Sequence, residues 1–156
     1  MVKSLSLTLA IPTLLLAALT VCAADIGYDP KADALVTLSS AEARAHSEDK
    51  LVLLVAGGDW CIWCHYLYEF LEKNDDVDSA LHDVFVVAKV YVGDENRNEA
   101  FFAKLPKADG APHFWVLSDT GEVLKSQPTV VLEDGNKSYR KEAFMKFVDE
   151  WRQREH

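Results

Sequence analysis

The sequence feature that most constrains the fold is a continuous apolar run over residues 51–55, Leu-Val-Leu-Leu-Val. Charged residues precede this run, and Gly57 and Gly58 follow it. An apolar run of this length, bounded by charge and by glycine, is typical of a strand with both faces buried. Such strands lie in the middle of parallel or mixed sheets, so the sequence predicts a central sheet with helices on both faces.

A helix is predicted to follow the buried strand after a short loop. Side chains with the spacing of one helical face run through residues 61–73, namely Cys64, Leu67, Tyr68 and Leu71. Cys61 stands at the predicted start of this helix, and Cys64 lies about one turn later. Both cysteines therefore lie where the buried strand passes into a helix.

Apolar periodicity and turn residues predict the other elements. Ser39 is the predicted cap of a first helix that ends near His46, with Glu42 completing a capping box. Ser138 is the predicted cap of the last helix. Between them we expect a short helix that ends near residue 82, strands over 84–91, 113–117 and 122–125, and a helix over 96–105. This order predicts one α/β domain with a central mixed β-sheet flanked by helices on both faces.

The first 24 residues have the pattern of a secretory signal peptide. Lys3 gives a basic start, residues 5–21 contain no charge, and small residues follow at a suitable cleavage position. We therefore expect a signal peptide over 1–24, one domain over 25–156, and a location outside the cytoplasm, in the periplasm. Membrane contact is expected only if this segment stays uncut as an anchor or if Cys22 carries a lipid.

The charge of the chain disfavours two classes of partner, nucleic acids and anionic membrane surfaces. The 156 residues include 25 acidic and 16 basic side chains, for a net charge of −9 at pH 7. A phosphate backbone or an anionic lipid surface would be repelled by such a domain. We therefore expect no nucleic-acid partner.

Two cysteines at a helix start predict a reactive pair. Of the three cysteines, Cys22 lies in the predicted signal peptide, which leaves Cys61 and Cys64 in the mature chain. The N-terminus of a helix offers unpaired N–H groups and the positive end of the dipole, and both favour the nucleophilic thiolate. We expect Cys61 to be the nucleophile and Cys64 to resolve the mixed disulfide. Trp60 is expected to form an apolar surface beside the reactive sulfur, and His65 to be a solvated residue or a proton-transfer group.

Three other uses of the cysteine pair are open to the sequence. Cys61-x-x-Cys64-His65 matches the motif for covalent attachment of c-type haem, against which stand the buried strand just before it and the β-rich remainder. A zinc site needs about four ligands, and no second close pair of cysteine or histidine accompanies the first. A purely structural disulfide would constrain only a small loop and contribute little stability. We therefore predict no cofactor and no metal.

These residues and their spacing resemble the thioredoxin family over residues 39–151. The matching segments are the apolar strand before Trp60-Cys61-x-x-Cys64, residues 87–90, and Gly110-Ala111-Pro112 followed by an apolar strand, Asp119 and Gly121. In that family a cis-proline opens the strand that faces the redox pair, and Pro112 fills this place. The resemblance implies a thioredoxin-like fold in which the Ala111 backbone and Pro112 shape the groove for a client peptide.

The sequence departs from the usual family pattern beside the cysteines. Val55 stands where typical thioredoxins carry a buried acid thought to accept the proton of the second cysteine. Lys89, which looks like the usual partner of that acid, is present and is a candidate for proton transfer. Ile62 and Trp63 replace the usual Gly-Pro between the cysteines. These departures suit exported thioredoxin-like proteins with a Trp-Cys-x-Trp-Cys pattern.

The resemblance implies a thiol–disulfide oxidoreductase that acts outside the cytoplasm. Its expected partners are protein or small-molecule thiols and disulfides, together with an upstream redox partner. A non-catalytic protein that uses the same fold for binding or assembly is the alternative. The sequence leaves the direction of electron flow open.

Overall fold

A computed structural model describes residues 25–153 of the chain, and the predicted signal peptide with Cys22 lies outside the described residues. In chain order the elements are α1 (Ala34–Glu48), β1 (Leu51–Gly57), α2 (Ile62–Lys73), α3 (Asp75–Val84), β2 (Phe85–Tyr91), α4 (Glu99–Phe102), β3 (His113–Leu117), β4 (Val123–Pro128), a 3₁₀ turn (Thr129–Leu132) and α5 (Lys141–Arg152). Within this part of the chain, no helix is long and apolar enough to cross a bilayer.

The sheet is mixed, and β1 is one of its two inner strands. The strand order is β2-β1-β3-β4. β1 pairs in parallel with β2 and antiparallel with β3, and β3 pairs antiparallel with β4. Every residue of β1 after Leu51 is buried, which confirms the prediction of a strand covered on both faces.

One face of the sheet packs against three helices. Leu53 and Val55 of β1 lie in this core together with residues of α2, α3 and α5. The ring of Phe144, on α5, lies 5.2 Å from that of Phe70 on α2 and 6.2 Å from that of Phe114 on β3. These ring contacts join α2, which carries Cys64, to the sheet and to the last helix.

The opposite face of the sheet packs against α1 and α4. Val52, Leu54 and Ala56 alternate with the residues of the first core, as the period of two in a strand requires. They lie in a second core with Trp115 and with alanines of α1. Helices thus cover both faces, and the predicted α/β architecture is confirmed.

The first helix begins earlier than predicted. Asp33 is its cap, because the Asp33 carboxylate accepts hydrogen bonds from the backbone N–H groups of Leu35 and Val36 at 2.8 and 3.2 Å. Ser39 lies inside the helix, where its hydroxyl donates to the carbonyl of Val36 at 3.1 Å. The prediction of a cap at Ser39 was wrong, since a serine within a helix can bond back to the preceding turn instead of capping a new one.

Two other helix boundaries also differ from the predictions. The predicted helix over 96–105 is reduced to the short α4, because Asn98 has a φ of 48° and its side chain donates to the carbonyl of Tyr91 at 2.8 Å. A residue in this left-handed conformation cannot continue a helix. Ser138 is not the cap of α5, because its N–H donates to the Asp134 carboxylate at 3.0 Å and the helix begins at Lys141.

We predict that the substitution Asp33→Ala lowers the free energy of unfolding by about 1 kcal/mol, since it removes the acceptor for two N–H groups at the start of α1. The matched control is Ser39→Ala, which should change the free energy by less than about 0.5 kcal/mol. Urea denaturation followed by circular dichroism measures both. A larger loss for the Ser39 variant than for the Asp33 variant would contradict the assigned start of α1.

Candidate active site

Cys61 and Cys64 form a disulfide at the start of α2. Their α-carbons lie 5.2 Å apart, which is an ordinary separation for bonded cysteines. Cys61 is the N-cap residue of α2, in an extended conformation, and Cys64 lies in the first turn. Cys61 is 5% exposed and Cys64 2%, so Cys61 is the slightly more accessible of the two.

The sulfur of Cys61 takes the position that a capping oxygen takes in other helices. The backbone N–H of Cys64 donates to Cys61 Sγ at 3.2 Å. A thiolate accepts such a bond more strongly than a neutral thiol, and the helix dipole adds to the effect. The local geometry therefore favours the charged, nucleophilic form of Cys61 after reduction.

The strand β3 approaches this disulfide at its first residues. The peptide bond between Ala111 and Pro112 is cis, as the family resemblance implies. The carbonyl oxygen of Ala111 lies 3.3 Å from Cys61 Sγ. The structure therefore places the backbone just before Pro112 in contact with the sulfur predicted to be the nucleophile.

Trp60 lies at the surface next to the cysteines. Its side chain is 59% exposed, and its indole N–H donates to the carbonyl of Val92 at 2.7 Å, which fixes the ring. A groove of about 590 Å³ runs from Trp60 to Gly110 and Ala111, with Phe102 also in its wall. The structure thus brings the predicted substrate-binding residues Trp60 and Ala111 to one mostly apolar groove.

His65 is held by the loop that precedes the helix. Its Nε2 atom donates to the carbonyl of Asp59 at 2.8 Å, because a carbonyl oxygen can only accept. The bond orients the imidazole ring towards the loop, and the predicted role of His65 in proton transfer stays a prediction. The other residues of the haem-attachment motif are Cys61 and Cys64. These two cysteines bond to each other, while His65 bonds to Asp59.

Lys89 lies in β2, opposite Val55 of β1. Its ammonium group donates to the carbonyl of Ile26 at 2.7 Å and lies 5.7 Å from the centre of the Tyr28 ring. Burial lowers the pKa of Lys89, against the opposing effect of carboxylates such as Asp25. The ammonium group therefore contacts the segment before α1, and it also lies 5.9 Å from the centre of the Tyr68 ring on α2. Its predicted role in proton transfer stays a prediction.

The segment before α1 was not among the predicted parts of the site. Ile26 is 1% exposed and Tyr28 6%, whereas Asp25, Gly27 and Asp29 are exposed. This alternation of buried and exposed residues is a pattern that the sequence contains. The segment is short and lies next to the predicted cleavage site, which is why the pattern was not identified as structural.

Potential metal ligands are not clustered around the disulfide. Among residues 25–153, no group of three or more histidine, cysteine, aspartate or glutamate side chains is arranged to hold a metal ion.

A family model described as thioredoxin-like matches residues 33–118, which is more than half of the chain. The chain belongs to the thioredoxin-like family. The matched residues include β1, both cysteines and the strand that follows the cis-proline. The family model therefore covers the elements around the disulfide. No curated protein matches the sequence at a significant level.

Solved structures give the same result. A disulphide isomerase from Xylella fastidiosa Temecula1 is 28% identical, with a TM-score of 0.67 over 80% of this chain and 95% of that one. The oxidised C-terminal domain of DsbD from Neisseria meningitidis is 19% identical, with a TM-score of 0.54 over 78% of this chain and 96% of that one. The second likeness supports the fold alone. Together with the family and the bonded pair of Cys61 and Cys64, the first supports thiol–disulfide oxidoreductase activity.

We predict that Gly57→Ala destabilises the fold by about 1–3 kcal/mol, because the added carbon would overpack a filled site. A β-carbon at Gly57 would stand 2.6 Å from Cys64 Sγ and 2.7 Å from the Tyr28 hydroxyl. Gly110→Ala is the matched control, since nothing lies within 4 Å of the corresponding position. Thermal unfolding of the oxidised proteins compares the two, and equal melting temperatures would contradict the described packing behind Cys64.

Proposed function

We propose that this protein exchanges dithiols and disulfides with protein or small-thiol partners outside the cytoplasm, with Cys61 as the nucleophile. The single observation that supports this most strongly is the position of Cys61. Its sulfur caps α2 through the Cys64 N–H and at the same time touches the Ala111 carbonyl before the cis-proline. The reactive sulfur thereby lies next to the backbone of Ala111.

The exchange proceeds in two steps. With the protein reduced, the Cys61 thiolate attacks a client disulfide, a Cys61–client disulfide forms, and the other client sulfur leaves as a thiolate that takes a proton from water. Cys64 then loses its proton to solvent and attacks the Cys61 sulfur. The Cys61–Cys64 disulfide forms, the client sulfur leaves, and two electrons have passed to the client. The reverse sequence oxidises a client dithiol.

The client is proposed to bind as an extended strand along the backbone of Ala111 and Pro112. Main-chain hydrogen bonds of this kind depend little on the client sequence. The apolar groove between Trp60 and Ala111 gives a surface for a side chain that flanks the client cysteine. This mode suits a protein that acts on several clients.

Two observations support the location outside the cytoplasm. The first is the signal-peptide pattern of residues 1–24, which predicts export. The second is the likeness to the Xylella fastidiosa protein, which is a disulphide isomerase. Disulfide exchange on proteins is favoured in oxidising compartments such as the periplasm, where disulfides persist. Reduction of a client uses the two steps above, and oxidation uses them in reverse. In isomerisation a second client thiolate attacks the mixed disulfide instead, and Cys61 leaves as a thiolate.

We predict that the full-length Cys64→Ala variant, produced in a Gram-negative host, accumulates mixed disulfides through Cys61 in periplasmic extracts. The reason is that Cys61 can still attack a client, while the sulfur that would release the client is gone. Non-reducing gels followed by mass mapping of the linked cysteine measure these complexes. They should disappear on reduction.

The matched control is the double variant Cys61→Ala, Cys64→Ala, which retains Cys22 and the same fold. It should form no complexes above background. If the single variant traps no more protein than the double variant, the chain has no exchange activity towards proteins, and a binding or assembly role on the same fold would replace the proposal.

A further inference from the structure

The Tyr28 hydroxyl belongs to a mostly buried residue, and the exchange steps described above do not use it. Tyr28 is 6% exposed and lies in the segment that precedes α1. The bond from Lys89 to the Ile26 carbonyl, at 2.7 Å, holds this segment against the edge of the sheet. Among residues 25–153, no hydrogen-bond partner of the Tyr28 hydroxyl is present in the disulfide form. The group is therefore free to donate a hydrogen bond once the disulfide opens.

The hydroxyl and the sulfur of Cys64 lie on the same side of Gly57. A β-carbon on Gly57 would stand 2.7 Å from the hydroxyl and 2.6 Å from Cys64 Sγ, so glycine leaves room for both groups at this point. Tyr28, Cys64 and Lys89 also line one cavity of about 580 Å³. The hydroxyl and the Cys64 sulfur therefore lie close to the same point beside the α-carbon of Gly57.

Cys64 needs a hydrogen-bond donor when it becomes charged. It is 2% exposed, and a buried thiolate without a partner is costly. The inner-strand residue opposite Lys89 is Val55, which offers no polar group. The N–H of Cys64 itself is directed at the sulfur of Cys61, at 3.2 Å. The hydroxyl of Tyr28 is a polar side-chain group that lies close to this sulfur.

We propose that the Tyr28 hydroxyl donates a hydrogen bond to the Cys64 thiolate and so promotes the step that releases the client. This inference rests on the proposed exchange function and names a catalytic hydrogen-bond donor for its second step. Cys64 gives its proton to solvent, and its thiolate accepts the Tyr28 bond while it attacks Cys61. The bond between Cys61 and the client sulfur then breaks. A hydrogen bond to the charged form favours ionisation of Cys64.

The charged and titratable groups around this pair act on it from several elements. Lys89 on β2 contacts the Tyr28 ring, and its positive charge favours a nearby thiolate. Burial raises the pKa of the Tyr28 hydroxyl, and Tyr139 before α5 and Asp59 in the loop before α2 add to this effect. Tyr28 therefore stays protonated, as a donor must, across the pH range of exchange. Asp25 and Asp78 face Lys89 and support its positive charge.

The test is the substitution Tyr28→Phe, which keeps the ring and removes only the hydroxyl. In full-length protein with Cys61→Ser, cysteine labelled with ¹³C at the β-carbon reports the ionisation of Cys64 by NMR. Loss of a hydrogen bond to a charged group should move the Cys64 titration to higher pH by about one unit. The thiolate population below the midpoint would then fall about tenfold.

The second measurement is the rate at which Cys64 releases a preformed mixed disulfide between Cys61 and a small model thiol. Tyr28→Phe should slow release about tenfold near neutral pH, and the defect should shrink as the pH rises above the Cys64 midpoint. Tyr68→Phe is the matched control, because the ring of Tyr68 also lies under Lys89, at 5.9 Å. It should leave both the titration and the release rate unchanged.

An unchanged Cys64 titration in the Tyr28→Phe protein would overturn the inference, as would a release defect of the same size at every pH, which indicates a purely structural effect. Equal shifts in the Tyr28 and Tyr68 variants would also overturn it. The titration does not require turnover, so the inference can fail while wild-type exchange is normal. Failure of the exchange function itself would appear separately, as an absence of client trapping in the Cys64→Ala variant.

Discussion

The hydrogen bond from the Cys64 N–H to the sulfur of Cys61 is the interaction on which the rest of the site depends. It exists because β1 ends at Gly57 and α2 begins directly after Cys61, so the sulfur takes the place of a capping group. A helix start has N–H groups without partners in the helix, and a charged sulfur satisfies them better than a neutral one. The same bond therefore completes the helix and prepares the nucleophile.

The remaining parts of the fold hold that junction in place from both sides. The pairing of Ala56 with His113 sets the first residue of β3 beside the end of β1, so that the Ala111 carbonyl reaches Cys61. On the inner side, the rings of Phe70 and Phe144 bind α2 to the core, and Leu67 is buried with them. A central strand, a packed helix and a strand opened by a cis-proline thus meet at one pair of sulfurs.

Much of this arrangement could be predicted from the sequence, because the signals are local and strong. The apolar run of β1 predicts a buried strand, and the cysteines follow it at a spacing that places them at the start of the next helix. The position of Pro112 opposite the cysteines came from the family resemblance, since no local pattern indicates which proline is cis or what it faces. The groove is a similar case. Trp60 and Ala111 lie far apart in the chain, and no local pattern predicts that both residues line it.

The errors have physical causes of the same kind. Asp33 and Ser39 are both acceptable caps, and the choice between them depends on which turn packs against the sheet. Asn98 breaks its predicted helix because its side chain bonds to the end of β2, a contact that local propensity does not contain. The role of Tyr28 depends on a lysine and a glycine that lie far from it in the chain. Tertiary contacts thus decided each point that the sequence pattern left undetermined.

The most direct test of the account is the reduction potential of the Cys61–Cys64 pair in the full-length protein. Equilibration in glutathione and dithiothreitol buffers, followed by differential alkylation and mass mapping, gives the oxidised fraction at each potential. The account predicts reversible interconversion within roughly −100 to −320 mV, the range spanned by known exchange proteins and compartments. A pair that stays bonded, or stays reduced, across that whole range would contradict it.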